Sequence, residues 1–520
     1  MTPATQPKID APRLPLQRPK TAYAGPRLMP AYSYPQHGRR SVSLSTLRPL
    51  ILIGGVVLMS LLATDWLAGL SLVVLWGAWK YLSREPGPPV IAAAFTHQWL
   101  QVTVAIFYAA VTGRRVIQMD TSDYRPMILI GLGSVVAMFA GFYLTAGWRA
   151  RTRATTSAFQ LPVKFSTIAT AYAVSIALAG ALLSFAWSHP ELTQVILVMA
   201  LVRYVLLYLL VRRLATPTMR WGWILLVLLA EVALGFGGFF ADFRQPIAIV
   251  SIALLGVVNR RRARTWVMLG FLGVLAIGAG VVWTALKPIL RRQYDYSQSD
   301  TERLRSVAEV AGVSMAKSGD AWLFHADTTV SRVWAIYYPA LAVARVPSVV
   351  PHENGALLAF VIRHLLSPRI LFPDKPALPS DSDKVRKYSG VWVAGREVKT
   401  SYAFGYAAES YVDFGVPLMF FPIFVLGMLL GATYSVLMRS IEHAELRTAA
   451  IVVVFWSVMS MFETSWVMMV GRGLTQIVVL GAAAVAVDRM VLRRRRKTAP
   501  ARRAYGGGNA AASIGMSIRV

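Results

Sequence analysis

The chain has no cysteine. That absence excludes disulfides, thiolate nucleophiles, iron–sulfur clusters and cysteine-ligated zinc. Acidic residues are scarce, with 25 Asp and Glu against 54 Lys and Arg in 520 residues. The seven histidines are scattered without metal-ligand spacing, which argues against a zinc or haem site. No Walker A, dinucleotide fingerprint or HExxH motif occurs, so nucleotide hydrolysis and zinc proteolysis have no support. No cofactor is expected. Charge of either sign is sparse, at 15% of residues, where a soluble chain carries about 25%. What is abundant is apolar: 56% of residues are hydrophobic and the mean hydropathy is +0.51. This composition excludes a soluble multidomain enzyme and predicts an all-α polytopic membrane protein.

A spanning helix needs about 20 mainly apolar residues. Twelve stretches are candidates: 49–64, 66–82, 89–112, 126–147, 165–187, 191–211, 221–240, 246–258, 266–286, 416–438, 448–470 and 474–492. The first and eighth are short. Residues 1–48 are Pro-rich and basic with no apolar run, which predicts a disordered tail rather than a signal peptide. Residues 493–520 open on Arg493–Lys497, carry Gly506–Gly508 and read as a second basic tail. The domain plan is thus 1–48 tail, 49–286 nine spans, 287–415 loop, 416–492 three spans and 493–520 tail.

The excess of 54 − 25 = +29 charges would point to nucleic acid on a soluble protein. Its placement points elsewhere. Arg149, Arg151, Arg153, Arg212, Arg213, Arg260–Arg262 and Arg493–Arg496 all fall on one side of the twelve spans. The short connections on the other side hold Arg114, Arg115, Arg125, Arg244 and Arg472. The positive-inside rule then puts both termini in the cytoplasm. No basic helix interleaves with base-stacking aromatics, so no nucleic-acid partner is expected. Anionic headgroups of the lipid bilayer are the expected partners of the tails.

The segment 287–415 differs from every other connection. It holds 13 of the 25 acidic residues and His325, His352 and His364. A structureless loop of that length is improbable, and three pieces, 301–316, 321–345 and 355–366, read as helices. The last is apolar with Arg363 and His364, which suits the bilayer surface. Four prolines in 368–379 forbid a helix and favour a stiff extended segment, which would hold Arg369 and Lys375 in place. Residues 380–400 read as a polar, mobile stretch.

The segment Tyr402–Gly415 leads back to the membrane. Glu409 and Asp413 share a helix face. Tyr402, Phe404, Tyr406, Tyr411 and Phe414 surround them and suit either a membrane belt or a sugar-binding platform. A carboxylate with apolar neighbours is a candidate base. Within the spans, Arg203 and Glu231 lie at equal depth on consecutive helices, which suggests a membrane-buried pair. Glu463 lies in the eleventh span, close to where the large loop should dock. His97, Gln98 and Gln101 polarise the third span and are suited to interhelical hydrogen bonds.

Arginine binds phosphate through a fork that does not deprotonate, so a cation-bearing loop beside a lipid groove suits a lipid-linked phosphate. The block from Arg332 through Asn354-Gly355, then Ser367-Pro-Arg-Ile-Leu-Phe-Pro-Asp-Lys375-Pro, then Ala408-Glu-Ser-Tyr-Val-Asp-Phe-Gly415, resembles the Wzy-type O-antigen and exopolysaccharide repeat-unit polymerases. The resemblance covers about 330–430, and Ala408 stands where that family often has glycine. It implies a metal-independent glycosyltransferase of the GT-C type at the periplasmic face of a bacterial inner membrane. Its substrate would be a polyprenyl-diphosphate-linked oligosaccharide, and a chain-length regulator and a flippase would be pathway partners. It implies that Arg369 and Lys375 bind the diphosphate, with Arg332 a third cation and Arg363 a weaker one. It implies Glu409 as the base or orienting group, with Asp413 competing and His364 behind them. An O-antigen ligase shares the same phosphate logic. A flippase should show two similar halves, whereas these spans split nine and three around the loop.

Overall fold

The computed structural model describes residues 54–61, 65–82, 89–150, 161–189, 193–215, 220–236, 243–256, 263–293, 319–367, 372, 378–398 and 400–498. The expected tail 1–48, residues 499–520 of the second tail and the expected helix 301–316 lie outside these residues. Among the described residues every regular element is helical. Five helices are long and apolar enough to cross a membrane: Val90–Thr112, Arg125–Ala146, Gln194–Leu214, Phe420–Ser440 and Met468–Arg493. Six more apolar helices are shorter. The chain is therefore an α-helical membrane protein.

The elements in order are α1 (54–61), α2 (Trp66–Leu82), α3 (Val90–Thr112), α4 (Ile117–Asp120), α5 (Arg125–Ala150), α6 (Phe165–Ser188), α7 (Thr193–Ala200), α8 (Val202–Leu214), α9 (Trp221–Phe236), α10 (Arg244–Leu255) and α11 (Ala263–Gln293). The long connection follows with α12 (Gly319–Val333), α13 (Tyr337–Arg345), α14 (Ala356–Leu366), α15 (Asp381–Ser389) and α16 (Gly405–Phe414). The chain ends with α17 (Phe420–Ser440), α18 (Ala444–Met459) and α19 (Gly473–Thr498), the last entered through a π-helical turn at Met468–Arg472.

Small residues set the closest packing. In α17, Gly427 and Gly431 face the backbone carbonyls of Met138 and Phe142 in α5, and a methyl at either position would collide with them. Gly133 meets Phe420, and the Ser435 hydroxyl reaches the Thr145 carbonyl, so the two helices run parallel. Thr145 Oγ1 also donates to the Met428 carbonyl at 2.8 Å. Such close backbone approach through small residues is how helices associate where lipid removes the hydrophobic drive.

The long connection is folded and docked. Trp334 is buried, and its indole N–H donates to the Val102 carbonyl of α3 at 3.0 Å. Ala335 N–H donates to the Gln101 carbonyl at 3.0 Å. This contact explains why the expected helix 321–345 is two helices: the chain breaks at 334–336 to seat Trp334 on α3. Farther along, Asp327 of α12 accepts from Tyr108 at 2.5 Å and pairs with Arg114 at 2.6 Å.

Residues 380–400, expected as a mobile polar stretch, instead form α15 and a short 3-10 turn at Arg396–Val398. Val385, Tyr388 and Val393 are buried with Ala342, Val346, Phe404, Ala408 and Val412 in a second small core. Burying one such large side chain is worth about 1.5–3 kcal/mol, enough to hold a polar-looking segment down. Ser382 Oγ ties the turn by donating to the Ala394 carbonyl and accepting from Tyr402 N–H. The expected sixth span, 191–211, is two helical pieces, α7 and α8, that meet at Leu201 within one apolar stretch, Gln194–Leu214. The expected eleventh, 448–470, is interrupted at Met459.

Candidate functional site

The interruption lies inside an apolar run. Helix α18 ends at Met459 and helical structure resumes at Trp466. A break in a helix strands backbone polar groups, so where it is buried it persists only if protein satisfies them. Here α3 covers one side. Gln98 Nε2 donates to the Met459 carbonyl at 2.5 Å, and Gln101 Oε1 accepts from Phe462 N–H at 2.7 Å. His97 Nδ1 lies 2.7 Å from the Ser460 carbonyl. A carbonyl only accepts, so Nδ1 carries the proton.

Helix α16, from the long connection, covers the other side. Tyr406 N–H donates to the Thr464 carbonyl and its hydroxyl to Gln98 Oε1, each at 2.8 Å. Gly405 makes this approach possible. Its φ is +89°, and an added Cβ would stand 2.6 Å from the Phe462 carbonyl oxygen and 3.2 Å from Glu463 Cα. Any other residue would push α16 off the break.

Glu409 is fully buried, and both of its oxygens are engaged. Oε2 accepts from Trp466 N–H at 3.0 Å, at the helix start, where a carboxylate also suits the helix dipole. Oε1 accepts from Lys384 Nζ at 2.8 Å. Lys384 also bonds Asp381 at 3.2 Å, and Asp381 accepts from Ser465 Oγ at 3.0 Å. The Trp466 indole donates to Ser410 Oγ at 2.9 Å. Burial pushes the Glu409 carboxyl above the usual carboxylate range, opposed by Lys384. Burial alone would lower Lys384, but Glu409 and Asp381 more than reverse this and hold it above an ordinary lysine.

Asp413, one turn along α16, accepts from Leu357 N–H at 3.0 Å and Leu358 N–H at 2.8 Å. It thus caps the first turn of α14. Its carboxyl is raised by burial, and the two N–H groups work against that rise. Helix α14 carries Arg363 and His364, whose ring stacks on Phe360, and exposes Ile362 and Leu366. Arg332 lies in the last turn of α12, two residues before the docked Trp334. Arg369 and Lys375 lie outside the described residues.

Among the expected residues, the structure therefore brings Glu409 to the break and places Asp413, Arg363 and His364 on or at α14. Arg203 and Glu231 meet elsewhere in the bundle. Arg203 Nε donates to Glu231 Oε1 at 3.1 Å, its Nη2 pairs with Oε2, and Tyr172 completes the group at 2.6 Å. Lys384, Asp381 and Ser465 escaped the sequence reading. The i,i+3 pair Asp381–Lys384 was the one available signal, and it is common on solvated helices.

One carboxylate at the break is left over. Glu463 is half-buried, and among the described residues no donor bonds it. No group of histidines and carboxylates among the described residues is arranged to hold a metal ion. No family model, curated protein or solved structure matches this chain.

Proposed function

We propose that this protein is a polysaccharide polymerase. It joins polyprenyl-diphosphate-linked oligosaccharide repeat units and releases polyprenyl diphosphate. The observation that carries the reading is the seating of α16 on the break in the membrane bundle. The segment that resembles the Wzy-type polymerases, Ala408–Gly415, is the one the bundle interrupts a helix to receive. A polar, protein-lined interruption beside apolar helices suits a substrate whose lipid tail stays in the bilayer and whose sugars meet polar groups.

In this reading the chain crosses a bacterial inner membrane twelve times in a GT-C-type arrangement. Both termini are cytoplasmic, and the long connection is periplasmic. Arg369 and Lys375 bind the diphosphate, with Arg332 and Arg363 as further cations of the loop. Arginine and lysine there neutralise the leaving group without a metal. Glu409 and Asp413 act by position: each has both oxygens occupied and holds a helix start in place. His364 stands beside Arg363 on α14 and is suited to a sugar hydroxyl. A flippase and a chain-length regulator are the expected partners.

The test is a reconstitution of the full chain in liposomes with lipid-linked repeat units extracted from cells lacking this gene. Longer glycans on the lipid, with one polyprenyl diphosphate released per linkage, support the reading. Movement of the units across the bilayer without lengthening identifies a flippase. Transfer to another lipid without lengthening identifies a ligase.

A further inference from the structure

Two polar side chains stand at the non-helical segment 460–465, His97 against it and Glu463 within it. His97 uses Nδ1 to hold the Ser460 carbonyl, and among the described residues no hydrogen bond is made by its Nε2. Glu463 has no bonded donor among the described residues, in contrast to Glu409 and Asp413 nearby, which have two each. The backbone on both sides of Glu463 is held, by Gln101 at Phe462 and Tyr406 at Thr464, and the Ser465 hydroxyl donates to Asp381. A half-buried carboxylate with no bonded donor among apolar helices is costly, and the break does not need it, because Gln98, Gln101 and Tyr406 already hold that backbone.

We infer that Glu463 is the group that takes the proton from the attacking sugar hydroxyl, with His97 beside the same acceptor position. The inference rests on the polymerase reading and names its base. As the acceptor oxygen bonds to the anomeric carbon of the donor, its proton passes to Glu463. The bond from that carbon to the diphosphate oxygen breaks, and the electron pair leaves on polyprenyl diphosphate. Glu463 then returns the proton to water. His97 Nε2 accepts a hydrogen bond from a neighbouring hydroxyl of the acceptor sugar. The free carboxylate and the engaged ones divide the work: Glu409 and Asp413 place α16, and Glu463 does the chemistry beside it.

The experiment is complementation of a strain lacking this gene with wild-type protein, Glu463→Gln and Glu463→Asp. Polymer, single lipid-linked repeat units and membrane protein levels are measured together, and each purified variant is melted in detergent. Removing a general base costs roughly 100-fold or more in rate. Glu463→Gln should therefore reach the membrane and melt like wild type, yet cut polymer by at least that factor while single units accumulate. Glu463→Asp should recover part of the polymer. Polymer from Glu463→Gln within about twofold of wild type overturns the assignment and leaves the polymerase reading intact. Loss of folded Glu463→Gln, with folded Glu463→Asp equally inactive, assigns the carboxylate to structure and also overturns it. If wild type restores no polymer, the polymerase reading itself falls, and the inference with it.

Discussion

Glu409 and Asp413 stand one turn apart on α16, and each holds the first turn of a different helix: Glu409 that of the helix beginning at Trp466, Asp413 that of α14. A ten-residue helix from the long connection is thereby locked to the membrane bundle on one side and to the loop on the other. The spacing of four, which on sequence puts two competing candidates for one base on a helix face, here serves two caps.

The Glu409–Lys384 pair is buried, so breaking it from one side should cost more than removing both charges. Leaving one buried charge unpaired costs about 3–5 kcal/mol. Lys384→Met should lower the melting temperature in detergent sharply. Lys384→Met combined with Glu409→Gln should melt above Lys384→Met alone, because the neutral amide that replaces the carboxylate still accepts from Trp466 N–H through its oxygen. Equal melting of the single and double variants would contradict the pairing.

Asp413→Ala removes the cap of α14 and should destabilise that helix by about 1 kcal/mol. Amide exchange should quicken in 356–366 and stay unchanged in α17. Asp413→Asn, which keeps one acceptor, should fall between. Unchanged exchange in 356–366 would show that the cap contributes nothing.

Glu353 accepts from Lys387 at 2.6 Å and from the Tyr388 hydroxyl at 2.8 Å. These two bonds hold its carboxyl below the usual range, and the nearby Asp413 is the other acid that feels it. A depressed carboxyl adds stability that is present above its unfolded value and is lost as pH falls through the folded one. Proteolysis of the loop should therefore accelerate below the usual carboxylate range. The difference between wild type and Glu353→Gln should shrink over the same interval. A constant difference down to the most acid condition would rule out the linkage.

The absence of cysteine makes the orientation directly testable. Ser348 in the long connection and Glu442 between α17 and α18 are both exposed. Ser348→Cys should react with a membrane-impermeant maleimide on intact spheroplasts, and Glu442→Cys only after permeabilisation. The reverse pattern would invert the proposed topology.

The membrane class was legible because apolar runs announce themselves by composition, and 355–366 was legible as a helix for the same reason. The break at Met459 was not, because Val452–Phe462 stays largely apolar through it and the reason for stopping lies in α3. Hydropathy measures burial in lipid, whereas His97, Gln98 and Gln101 act through hydrogen bonds to a distant backbone. The fold of 380–400 was hidden for a related reason. Its few apolar residues, Val385, Tyr388 and Val393, find their partners only in α13 and α16. Glu409 stood out on sequence by its aromatic surroundings, but Lys384 did not, since only the fold brings it within 2.8 Å.

The most direct measurement is the glycan length profile of the source organism after deletion of this gene, with lipid-linked intermediates extracted from the same cells. The polymerase account predicts that long polymer disappears and that single repeat units accumulate on polyprenyl diphosphate at the periplasmic face. Polymer of normal length, or repeat units held at the cytoplasmic face, would contradict it.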